Sequence, residues 1–138
     1  MTKVIAIDPG TSKCGMVLAD LEHKIVYEAI VIQSNMLLNH IKKLCKTDDK
    51  IKFIIGNGTS SQKHIKTLSE YVSRIIVVEE KNSTYRAKEK YFEIFPLNGV
   101  KSFLPREIFL INKNLDALAA LILMEDYYQC QFDLSNEV

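Results

Sequence analysis

The sequence predicts an α/β domain built on a mixed, five-stranded sheet flanked by helices. Three observations carry that expectation. The unbroken apolar run Val4-Ile5-Ala6-Ile7 reads as a strand buried on both faces. Two more strand-like runs follow it at hairpin distance. Beyond them, apolar runs alternate with helix-spaced segments, and strands reached through crossover helices return parallel to the first. A chain of 138 residues fits a single domain, 1–138, with a sizeable core.

Residues 3–8 form the first strand, which ends at Asp8 before the turn signal Pro9-Gly10. Residues 15–20 are its hairpin partner, and the short polar link Leu21–Lys24 leads into a third strand within "HKIVYEAIVI", 23–32. Met36, Leu37, His40, Ile41 and Leu44 recur at helical spacing and predict a helix over 34–46. "KIKFIIGNG" (50–58) is a fourth strand, stopped by Gly56 and Gly58. Ile65, Leu68 and Val72 share one face of a helix over 60–72, and "RIIVVEE" (74–80) is a fifth strand. A helix over 83–95 follows, with Ala87, Tyr91 and Ile94 inward, then a loop over 95–105 marked by Pro, Asn and Gly. A short helix over 106–111 and a last helix over 115–129 complete the order.

Composition narrows the class. Hydrophobic residues make up 47% and charged residues 25%, as in soluble globular proteins. No apolar run is long enough to span a bilayer and no charged-then-apolar leader opens the chain, so a cytoplasmic protein without a membrane partner is expected. Cys14, Cys45 and Cys130 are odd in number and widely spaced, which speaks against a disulfide framework and a zinc site. His23, His40 and His64 are as scattered and read as surface or structural residues. Net charge is +1, but residues 60–113 hold ten basic and six acidic residues, whereas 114–138 hold five acids and no base. That asymmetry fits either a local surface for an anionic ligand or solvated helix faces.

On such sheets ligands gather outside the carboxyl ends of the parallel strands. Those ends carry Asp8, then Gly56-Asn57-Gly58, then Glu79-Glu80. Asp116 opens the last helix, and packing of that helix beside the first strand brings a third carboxylate to the same edge. Three close carboxylates repel and raise one another's pKa, so a cation belongs among them. Hard carboxylate oxygens suit Mg²⁺ or Mn²⁺. Two such ions about 3.5–4 Å apart activate a water and stabilise the leaving oxygen of a phosphodiester. Each acid also has a plainer reading: Asp8 starts a turn, only one of Glu79 and Glu80 faces the site, and Asp116 is a favourable charge in a first helical turn.

These residues resemble a family. "AIDPGTSKCGMVLAD" is similar to the opening motif of the RNase H-like nucleases of the RuvC/YqgF group, the Holliday junction resolvase-like proteins. "VVEEKNSTYRA" resembles the group's second motif, with Glu80 on its acid and Thr84 and Ala87 also matching, and "NLDALAALIL" resembles the third, with Asp116 on the last acid. "IIGNGTSSQ" and "FEIFPLNGV" are most similar to the YqgF-type domain of the transcription accessory protein Tex. The resemblance implies an RNase H-like sheet of order 3-2-1-4-5. It implies Mg²⁺- or Mn²⁺-dependent hydrolysis of phosphodiester bonds, in branched DNA or in structured RNA such as ribosomal RNA precursors, with Asp8, Glu80 and Asp116 as catalytic metal ligands. Lys113 stands where resolvases carry a further acid, and Tex-type domains leave a second reading open: a non-catalytic nucleic-acid-binding domain of the same fold. "DPGTSK" is also similar to the phosphate loop of sugar kinases and actin-like ATPases, which enclose their nucleotide between two such domains.

Nucleic acid is expected across Lys13, the 57–63 loop and the helix from Ser83. Gly58, Thr59 and Ser60 offer N–H groups and hydroxyls to a phosphate near a helix N-terminus. Lys81, Arg86, Lys90 and Lys113 supply further backbone contacts, which are salt-dependent and indifferent to sequence. Symmetric cleavage of a junction would call for a two-fold homodimer.

Overall fold

The computed structural model describes residues 2–48, 50–58, 60–79 and 115–135. β1 (Lys3–Asp8), β2 (Lys13–Asp20) and β3 (Ile25–Gln33) pair antiparallel in succession. A 3-10 turn (Ser34–Met36) leads into α1 (Leu37–Thr47). β4 (Lys52–Gly56) then pairs parallel to β1. After α2 (Ser61–Ser69), β5 (Ile75–Val78) pairs parallel to β4. α3 (Leu115–Tyr128) precedes β6 (Asp133–Leu134), which pairs parallel to β3.

The sheet order is β5-β4-β1-β2-β3-β6, so the sheet has six strands and not the expected five. The sixth is a two-residue strand, too short to carry a periodic signal. Tertiary contacts make it. Gln129, at φ 53°, turns the chain back after α3. The Phe132 N–H donates to Glu125 Oε2 (2.8 Å), and the Phe132 ring is buried. The Asp133 and Ser135 N–H groups then donate to the carbonyls of Lys24 (2.9 Å) and Val26 (3.0 Å). The expected helix at 34–46 also starts later than its spacing suggests. Ser34 donates its N–H to the Ser12 carbonyl (2.9 Å) and its hydroxyl to the Gly10 carbonyl (2.9 Å), which ties that residue to the β1–β2 turn. The helix over 83–95, the loop over 95–105 and the short helix over 106–111 lie outside the described residues.

Period two along β1 divides the core. Val4 and Ala6 pack with α3, while Ile5 and Ile7 pack with α1 and α2. On β2 the division continues, with Val17 and Ala19 toward α3 and Cys14, Met16 and Leu18 toward the helix pair. α1 is amphipathic and buries Leu37 and Ile41, and its His40 ring meets Glu28 Oε1 on β3 at 2.6 Å. α3 is different: Ala117 through Met124 are all buried, a run wider than the stripe one sheet face covers. Among the described residues no helix is long and apolar enough to cross a membrane.

Candidate functional site

The alternation that buries Val4 and Ala6 against α3 puts Asp8, the half-buried last residue of β1, on the same side of the sheet. Its partner across the ladder is Gly15. A Cβ on Gly15 would overlap the Asp116 carbonyl oxygen and come within 2.9 Å of the Ala117 nitrogen. The first turn of α3 therefore rests on the bare backbone of β2, at the ladder position facing Asp8. Gly15 does not have a positive φ, so close approach is what requires a glycine here. Asp116 is exposed in that first turn. The backbone of Asp116 thus lies at the end of the sheet where β1 ends in Asp8, although 108 positions separate the two residues in the chain.

The third, Glu80, lies outside the described residues, as do Thr59, Lys81, Arg86, Lys90 and Lys113. The strand leading to Glu80 is in place. Val78 packs toward α3 with Ile76, and its carbonyl accepts from Asn57 N–H (2.7 Å), joining the ends of β4 and β5. Glu79 is exposed.

The residues expected to meet phosphate fall into two groups. Lys13 is exposed at the start of β2, next to the turn after Asp8. Gly58 turns its carbonyl into α2, accepting from Ser61 N–H (3.1 Å) and Ser61 Oγ (2.7 Å). Ser60 is the N-cap of α2, yet its hydroxyl bonds Thr11 Oγ1 (3.0 Å) and not the helix. That bond joins the β1–β2 turn to the loop before α2, so the two expected phosphate loops are neighbours.

Behind this edge lies a polar network that the scattered cysteines and histidines did not suggest. His64 is buried on α2, and its Nε2 lies 3.1 Å from the Gly10 carbonyl. A carbonyl only accepts, so Nε2 carries the proton. Ser34 Oγ donates to the same carbonyl. Cys14 Sγ completes the group, 3.6 Å from His64 Nε2 and 3.4 Å from Ser34 Oγ. The turn after Asp8 is held by β2, the 3-10 turn and α2 at once. A signal was present: His64 stands one helical turn before Leu68, and Cys14 alternates with Met16 and Leu18.

Among the described residues, the three ligand-type side chains that lie within metal-binding reach of one another are elsewhere, at the opposite end of β2: Asp20, Glu22 and His23. Asp20 is fully buried there. Its Oδ1 accepts from the N–H groups of Glu22 (2.9 Å) and His23 (3.4 Å), and its Oδ2 from His23 Nδ1 (2.6 Å). Burial pushes this carboxyl up, but the hydrogen bonds from the His23 ring and the two backbone N–H groups outweigh it and hold the pKa below 3.8. The arrangement is that of an Asp closing a turn onto its own backbone. The chain matches no protein-family model and no curated protein sequence.

Proposed function

We propose that this chain is an RNase H-like, metal-dependent nuclease of the RuvC/YqgF type, which hydrolyses phosphodiester bonds in branched DNA or structured RNA. The observation that supports the reading is the contact of the α3 first turn with Gly15, opposite Asp8. It sets the backbone of Asp116 beside the ladder position that faces Asp8, at the carboxyl end of β1, where ligands gather on such sheets. A donor set of hard oxygens fits Mg²⁺ or Mn²⁺, held by Asp8 and Asp116 with Glu80 as the third ligand. A bound divalent ion supplies a water nucleophile at neutral pH and stabilises charge on the leaving oxygen. The protein's part is placement. The ladder fixes Asp8, the bare Gly15 backbone lets α3 come close, and Lys13 sets a positive charge beside the same turn for a phosphate. A second reading, nucleic-acid binding without cleavage, is favoured by Lys113, which stands where resolvases have an acid.

Cleavage of a labelled four-way junction and of an RNA hairpin, with Mg²⁺ or Mn²⁺ and with chelator, tests the proposal. Metal-dependent products from the parent chain and none from Asp8→Asn are expected. In thermal melts Mg²⁺ should stabilise the parent by about RT ln(1 + [L]/Kd) and the variant much less. Equal metal-induced shifts in both proteins would remove Asp8 from the metal site. Salt-sensitive binding with no cleavage under any metal would favour the second reading.

A further inference from the structure

On the other side of the sheet, a groove of about 560 Å³ runs between the start of α1 and α2. Its floor is apolar, formed by Leu37, Leu38 and Leu68. Asn35 and Asn39 stand on one wall, one helical turn apart. Lys63 and His64 stand on the other, and Ser60 and Thr11 close the end nearest the strand tips. Among the described residues the two asparagine amides and the Lys63 ammonium make no hydrogen bond or ion pair. The buried His64 ring lines the groove with its Nε2 at the Gly10 carbonyl. Among the described residues no carboxylate lines it.

We infer that this groove binds a nucleoside monophosphate unit. Its volume lies in the range of small-ligand sites, and an apolar floor with a few converging polar groups is their usual lining. Among the described residues, one cation without a counter-charge stands with the Ser60 and Thr11 hydroxyls at the groove end nearest the start of α2, and such a set takes a phosphate. Two amides, each with a donor and an acceptor, match base edges or ribose hydroxyls, and the leucines match the flat face of a base. A free nucleotide and the terminal nucleotide of a strand share this chemistry. The inference does not depend on the metal-edge reading, because Asp8 lies on the opposite side of the sheet.

Calorimetric titration of the full chain with adenosine and uridine 5′-monophosphates, inorganic phosphate and a 5′-phosphorylated tetranucleotide tests it. Saturable binding of a mononucleotide, with Kd between about 10 µM and 1 mM, is expected. Lys63→Gln should weaken it by about ten-fold. Asn39→Leu should weaken nucleotide but not inorganic phosphate. Binding of the tetranucleotide alone would assign the groove to a strand end. Absence of saturation by every probe up to about 10 mM would overturn the inference, as would affinity indifferent to Lys63→Gln, or phosphate binding as tightly as nucleotide.

Discussion

The two faces of the sheet are held by different means. On the α3 side, Val4, Ala6 and Val17 pack against helix side chains such as Leu118 and Leu121, but the first turn of the helix also meets β2 backbone to backbone: Gly15 has no side chain and the carbonyl of Asp116 occupies the space a Cβ would need. On the α1/α2 side, contact is made by side chains, through Leu37, Ile41 and Leu68 over Ile5, Ile7 and Met16, with the Gly10–Ser34–Cys14–His64 network at one end. A backbone contact has no rotamers to adjust, whereas a side-chain interface relaxes around a lost or added group. Asp8 and Asp116 flank the backbone contact, and the groove lies on the face held by side chains alone.

Gly15→Val breaks the comparison most sharply. A side chain there meets the backbone of Asp116 and Ala117, which has no rotamer to move aside, so we expect about 4 kcal/mol of destabilisation, at the exceptional end for one substitution. Urea denaturation reads it; a loss under about 1 kcal/mol would mean that α3 can lift away from β2 at little cost. Ile41→Ala probes the other face. This fully buried side chain should cost about 3 kcal/mol, with part of the cavity closed by movement of α1.

His64→Leu is expected to cost less, about 1–2 kcal/mol, because Ser34 still bonds the Gly10 carbonyl. Amide hydrogen exchange should rise in the 9–13 turn and leave the α3 contact unchanged. Protection lost equally on both faces would show that the network serves the whole sheet. The smallest effect lies at the far end of β2. The folded pKa of Asp20 is held below 3.8, so its contribution is present above that pH and fades as pH falls through the folded value. Asp20→Asn should therefore flatten the drop in melting temperature between about pH 6 and pH 3. An unchanged acid limb would mean that Asp20 is as well solvated in the unfolded chain as it is hydrogen-bonded here.

Much of this was legible beforehand. The apolar run of β1, the hairpin spacing to β2 and the one-turn spacing of Ile65 and Leu68 on α2 are local patterns, and local periodicity is what a sequence displays. Asp8 at a strand tip was legible for the same reason, since Pro9-Gly10 ends the strand after it. The local sequence thus determined an α/β chain with an acid at the end of its first strand.

Only the tertiary structure decided what stands opposite that acid. The contact of Asp116 with Gly15 joins positions 101 apart, and nothing in either segment's period specifies it; the apolar circumference of α3 would fit several placements. The Cys14–His64 contact spans fifty positions and depends on α2 crossing back over the turn. β6 exists because Gln129 reverses the chain beside β3, and two residues cannot announce a strand. In each case the deciding energy is burial and hydrogen bonding between distant segments, realised only once the chain has closed upon itself.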